Sequence, residues 1–217
     1  MSKVKELFQI NIFLLTSLLF IAAGGIILLT GDKVAIHLAI NGVHTPFLDT
    51  FFTYWTYVGD GIFTAISALL IVLIVFKKYR YSTFVFGAIA LVLCGIFSQF
   101  LKRAIFPDAS RPLKYIGDNI LYLVPDIEVH MSNSFPSGHT TAAFTFFAFA
   151  SLALFRENKI MQFFMALFAI LVGYSRMYLS QHFLEDVVTG AVLGIFTYFV
   201  AYWIVSLLPF KNGIIQK

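Results

Sequence analysis

Two histidines, one carboxylate and three cations stand in this chain at spacings that suit phosphoryl transfer at a membrane surface. Near the C-terminus, Ser175-Arg176 is followed by His182 with five residues between, and three more separate His182 from Asp186. If a helix begins near Phe183, His182 sits at its mouth and Asp186 lies one turn later on the same face. A carboxylate there holds one ring nitrogen, fixes the tautomer and leaves the other nitrogen free to attack. The planar donors of Arg176 suit phosphate oxygens. The bland alternative is an interfacial histidine capped by an aspartate, with Arg176 snorkelling to the head groups.

A second group is Pro136-Ser137-Gly138-His139, at the start of an apolar run. Glycine lets the backbone approach a ligand closely, and the free N–H groups of a helix start attract anions. Ser137 either adds a hydroxyl donor or simply caps the helix. His139 falls in the first turn, where it can protonate a departing oxygen. The third group, Lys102 followed by Arg111-Pro112, is the weakest alone, because a lysine at the end of an apolar helix is common.

The elements that must position these groups are membrane helices. Hydrophobic residues make up 59% of the 217 residues and charged residues 12%, which is not the composition of a soluble globule. With about 20 apolar residues needed per span, the predicted spans are Leu7–Leu29, Ile62–Phe76, Thr83–Leu101, His139–Phe155, Ile160–Ser175 and Leu184–Leu208. The expected fold is therefore all-α: a single domain over residues 1–217, built as a six-transmembrane-helix bundle, with five spans as the alternative. The first stretch, with Lys3 and Lys5 before it and Ala22-Ala23-Gly24 late in it, is longer than a signal-peptide core and is expected to be a retained anchor.

With the N-terminus inside, Lys3, Lys5, Lys77, Lys78, Arg80, Arg156, Lys159, Lys211 and Lys217 are cytoplasmic. Lys33, Lys102, Arg103, Arg111, Lys114 and Arg176 then lie outside. The excess of positive charge on the first side favours an N-in, C-in arrangement. In that topology the third helix ends, the fourth begins, the fifth ends and the sixth begins on the outer face. All three groups emerge there, as a shared site requires.

The segment Asp32–Gly61 mixes Pro46, Phe47, Phe51, Phe52, Tyr54, Trp55 and Tyr57 with polar residues. It reads as a helical segment at the outer interface, either an aromatic anchor belt or a lip for lipid access beside the site. The long polar loop Lys102–Phe135 carries Asp108, Asp118, Asp126, Glu128 and His130 without recurring ligand spacing, so a solvated surface is expected rather than a metal site. Cys94, the only cysteine, lies mid-helix and excludes an intrachain disulfide. Net charge is +4 with no basic run, so nucleic acid is not an expected partner. Gly190 and Gly194 form a small-xxx-small pair suited to packing within the bundle. No feature sets an oligomeric state.

These residues resemble the type 2 phosphatidic acid phosphatase superfamily, whose signatures are a lysine with a downstream Arg-Pro, a Pro-Ser-Gly-His block, and Ser-Arg followed by His and Asp. Pro136-Ser137-Gly138-His139 and Ser175-Arg176 with His182 and Asp186 match in full. The first signature departs: eight residues separate Lys102 from Arg111 where the family usually has six, and Arg103 competes for the lysine's role.

The resemblance implies a metal-independent lipid phosphatase with no cofactor. His182 is the nucleophile of a phosphohistidine intermediate, His139 the acid and base, and Asp186 the partner of His182. Lys102, Arg111, Ser137, Gly138 and Arg176 bind the phosphate. It also implies a lipid phosphate as substrate and the bilayer as partner. The expected location is a bacterial inner membrane, with the site on its periplasmic or extracytoplasmic side. Undecaprenyl diphosphate is the favoured substrate; phosphatidylglycerol phosphate, phosphatidic acid and lipid A phosphate are rivals. A lipid phosphotransferase would share the first half-reaction. A non-enzymatic carrier or scramblase would explain the cations but not the His182–Asp186 spacing.

Overall fold

The computed structural model describes residues 8–75 and 79–210, so Leu7, Phe76 and six of the predicted cytoplasmic lysines lie outside the described residues. Among the described residues all regular structure is helical. Helix α1 spans Asn11–Thr30, α2 Lys33–Asn41, α3 Pro46–Trp55 and α4 Gly61–Ile74. Then follow α5 at Arg80–Phe100, α6 at Pro112–Ile116, α7 at Gly138–Leu154, α8 at Lys159–Tyr178 and α9 at Leu184–Ser206.

Helix α7 is the axis of the bundle. Every residue from Thr140 to Leu152 is buried, as expected of a helix apolar on all sides. It packs against α4, α5, α8 and α9. Close approach on the α9 side depends on small residues. A Cβ added at Gly190 would lie 2.8 Å from the Ser137 carbonyl oxygen, and one at Gly194 would lie 2.6 Å from Phe144 Cβ. The glycine pair thus packs within one bundle. The outer helices instead expose leucine, isoleucine and phenylalanine (Leu15, Leu19 and Ile26 on α1, Leu70 and Ile74 on α4, Phe163 on α8). Such a belt fits lipid, not water.

By length and composition four helices suffice to cross a membrane: Phe8–Thr30, Arg80–Ile105, Lys159–Tyr178 and Leu184–Ser206. A fifth is the pair Pro46–Gly59 and Gly61–Ile74, bent by 63°. The expected sixth is α7, whose 17 residues give only about 25 Å at 1.5 Å per residue.

The expected interfacial segment is two helices rather than one. Asp32 caps α2 by accepting from Val34 N and Ala35 N, and Thr45 caps α3 by accepting from Leu48 N, with Pro46 in its first turn. The long loop folds back on itself, with Arg111 N donating to Met131 O and Ser134 N to Ala109 O, both at 3.0 Å.

Candidate active site

His182 occupies the turn between α8 and α9. Two residues past the end of α8, Ser180 stands at φ +51°, and the backbone N–H groups of Gln181 and His182 then both donate to Arg176 O, at 2.9 and 3.1 Å. Ser180 Oγ is clamped from the interfacial side: it lies 3.3 Å from His37 Nε2 and accepts from Asn41 Nδ2 at 3.1 Å. Asn41 also donates to Tyr122 O and accepts from Tyr122 N, so α2 fastens loop and turn together. Burial holds the His37 imidazole down at about 4, so it is neutral there at ordinary pH.

The turn leaves His182 almost fully buried, with Nδ1 donating to Asp186 Oδ2 at 3.1 Å. The same oxygen accepts from Phe183 N at 3.0 Å and from the Ser134 hydroxyl. Asp186 therefore closes the N-terminus of α9 and fixes the tautomer that frees Nε2. Burial, and then the positive field of Arg111, Arg176 and Lys102, keeps the His182 pKa well below its ordinary value. The ring is neutral and its free lone pair available.

His182 faces a cavity of about 310 Å³ that is also lined by Lys102, Arg111, Gly138, His139 and Arg176. The end of α5, the start of α7 and the end of α8 converge there with the Arg111 loop and the His182 turn. Lys102 lies on a π turn, Leu101–Ile105, closed by Phe106 N donating to Leu101 O. This wider turn takes up part of the extra spacing before Arg111. It buries Lys102, whose Nζ donates to Asn133 O at 2.7 Å and to Ser134 O at 3.3 Å, and leaves Arg103 exposed.

Arg111 is held at Nε by Ser132 O and at Nη1 by the backbone and side-chain oxygens of Gln181. Arg176 donates from Nη1 to Thr56 Oγ1 at 2.6 Å, while its buried Nε has no partner. Among the described residues no carboxylate pairs with Lys102, Arg111 or Arg176. One nearby carboxylate, Asp186, acts on Lys102 and Arg111 without pairing directly with either, so positive charge is left in excess at a cost of several kcal/mol, and an orphaned guanidinium N–H calls for an acceptor. A bound anion meets both needs.

Ser137 is the predicted residue that the structure places differently. Its hydroxyl accepts from Thr140 N and Thr140 Oγ1, its N–H donates to Asp186 O, and it lies outside the cavity wall. It is the cap that fixes the start of α7, the simpler of its two readings. Gly138 lines the cavity, and a Cβ there would come within 3.3 Å of Ser98 Oγ. His139 is set by the turn before α4: the Gly59 backbone packs so closely that a Cβ would lie 2.8 Å from His139 O.

Sequence reasoning missed Ser134, Thr56 and Gln181. None has a telling spacing to the group it holds: Ser134 is 52 residues from Asp186 and Thr56 is 120 from Arg176. Among the described residues no cluster of three or more His, Cys, Asp or Glu side chains gathers as a metal site.

A cationic cavity beside a buried imidazole with a free ring nitrogen, set into a helical membrane bundle, suits a phosphate group. The PAP2 superfamily profile matches residues 83–209. The chain is 30% identical over 175 residues to a protein of Bacteroides thetaiotaomicron named lipid A 4'-phosphatase, covering 77% of this chain and 74% of that one. It is 26% identical over 182 residues to the undecaprenyl-diphosphatase BcrC of Bacillus subtilis, covering 82% and 87%. The crystal structure of Aquifex aeolicus LpxE superposes with a TM-score of 0.64 at 30% identity, covering 78% of this chain and 93% of that one. The chain belongs to the PAP2 superfamily, and it is an integral membrane phosphatase that hydrolyses phosphoric esters.

Proposed function

We propose that this protein is a single-domain, metal-independent lipid phosphatase acting on head groups at the extracytoplasmic face of a bacterial inner membrane. The observation that carries the reading is the set of three buried cations around the free Nε2 of His182, none of them paired directly with a carboxylate among the described residues. The bundle is read as six spans, N-in and C-in, with α7 as the short central one. Its limited length is tolerable because its neighbours shield it from lipid.

In the reaction, His182 Nε2 attacks the terminal phosphorus while its bond to the leaving oxygen breaks (the bridging oxygen of a diphosphate, or the ester oxygen of a monophosphate), giving a phosphohistidine. His139, protonated once the negatively charged head group fills the cavity, gives that proton to the departing oxygen; it then removes one from the water that attacks phosphorus, breaks the phosphorus–nitrogen bond and releases inorganic phosphate. Asp186 offsets the positive charge that His182 gains. Lys102, Arg111, Arg176 and the N–H of Gly138 hold the equatorial oxygens, and Ser137 fixes the helix start that presents that N–H. Positioning and charge stabilisation carry most of phosphoryl-transfer catalysis, which fits the number of cations.

Undecaprenyl diphosphate is the favoured substrate. Lipid A phosphate is the second reading, favoured by the similarity to a lipid A 4'-phosphatase. The test is phosphate release by purified protein in detergent, with EDTA, from a panel of lipid phosphates and diphosphates. Release by wild type and at least a thousandfold less by His182→Ala is expected, with labelled phosphate trapped on His182. Equal release by both proteins overturns the assignment.

A further inference from the structure

We infer that the outer half of the cavity is a second anion subsite, centred on Arg103 with His130, which selects head groups carrying a second phosphate beside the scissile one. The inference rests on the phosphatase reading above and concerns the substrate class of that same site.

The first observation is space. A water molecule occupies about 30 Å³ in the liquid, so a phosphate group of five heavy atoms takes on the order of 100 Å³. The cavity holds about 310 Å³. One phosphate against His182 leaves most of it unfilled.

The second is charge. The cavity wall includes four fixed cations, Lys102, Arg103, Arg111 and Arg176, and no carboxylate. Three of these are buried and pinned around the inner end. Arg103 is exposed and has no hydrogen-bond or ion-pair partner among the described residues. A monophosphate is matched by the inner three, whereas the added charge of a diphosphate matches the fourth.

The third is backbone geometry. Successive residues of an α-helix point about 100° apart, so neighbours seldom address one small cavity. Lys102 and Arg103 both line this one, from the π turn that interrupts the helix at that point. Such turns often occur at functional sites. Gln99, four residues before Arg103, and Asn133 add neutral polar groups to the same wall. His130 faces them from the loop. Glu128 lies 3.7 Å from His130 Nδ1 and competes for that ring, so Arg103 carries the greater share.

The experiment measures kcat/KM for a polyprenyl diphosphate and for the monophosphate of equal chain length, using the full chain in detergent micelles. In Arg103→Gln the diphosphate-to-monophosphate ratio is expected to fall about tenfold, and in His130→Gln two- to threefold. Arg103→Lys should recover most of it. Inorganic pyrophosphate should inhibit wild type more strongly than orthophosphate, and that difference should shrink in Arg103→Gln. An unchanged ratio in Arg103→Gln overturns the subsite and leaves the phosphatase reading standing. Full release from both substrates by His182→Ala overturns the phosphatase reading instead.

Discussion

Replacing Ser134 by alanine removes one hydroxyl and leaves the rest of the site in place. The backbone oxygen of Ser134 still accepts from Lys102 Nζ at 3.3 Å, so the substitution removes only the hydroxyl's bond to Asp186 Oδ2 and its 3.4 Å approach to His182 Nδ1. That oxygen then keeps two donors, His182 Nδ1 and Phe183 N. A hydrogen bond to a charged group contributes about 1.5–3 kcal/mol, and 1.36 kcal/mol is tenfold in rate. Rate is affected only by the part of the bond that differs between ground and transition states. As His182 takes on positive charge the carboxylate must stay aimed at its Nδ1, and the Ser134 hydroxyl helps to hold that aim, so a good share is felt. The expected loss is about 5- to 50-fold in kcat, with KM within twofold. Steady-state phosphate release reads both constants. In an Asp186→Asn background the same substitution should cost less than threefold, because residues acting as one unit are not additive. A raised KM at unchanged kcat, or full additivity with Asp186→Asn, would show that Ser134 does not act through the carboxylate.

Three further outcomes are expected. Arg176→Lys forfeits both the bond to Thr56 and the unpartnered Nε–H, and kcat/KM should drop about a hundredfold; retained activity in that variant would make Arg176 a point charge only. Gly194→Ala drives a Cβ to 2.6 Å from Phe144 Cβ and 2.7 Å from Thr141 O. It should cost about 1–3 kcal/mol, seen as a lower unfolding temperature in detergent, and an unchanged temperature would refute the close packing. His37 has a folded pKa near 4 against an ordinary value of 6.5, so the unfolded chain binds the extra proton first. Its contribution to stability is present above pH 6.5 and lost as pH falls towards 4. Thermal unfolding followed over that window should show a smaller decline in His37→Gln than in wild type.

What could be read from the chain alone was the chemistry that resides in short spacing. His182 and Asp186 are one helical turn apart, and Gly138-His139 directly follow a helix cap, so local geometry links each pair. The helices were legible for a similar reason, since continuous apolar runs mark them to within a few residues: Ile62–Phe76 against Gly61–Ile74, and Ile160–Ser175 against Lys159–Tyr178. The break between α2 and α3 is marked in the sequence by Thr45-Pro46, but a run of aromatic residues conceals it. The choice between Lys102 and Arg103 was beyond reach, because it turns on one widened turn that no residue type announces. Thr56, Ser134 and Gln181 were invisible for a deeper reason. Each steadies a functional group from a remote part of the chain, and only tertiary packing pairs them.

Asp186 finishes a helix and holds the proposed nucleophile with the same oxygen atom. Fraying the first turn of α9 withdraws Phe183 N–H and loosens His182 in a single event, so a partly docked α9 has no half-active form. During biosynthesis α9 emerges after every other helix described. With His182 as the proposed nucleophile, a nascent protein in the bilayer would stay inert towards the surrounding lipids until α9 has seated, and assembly and the onset of catalysis would be one and the same step.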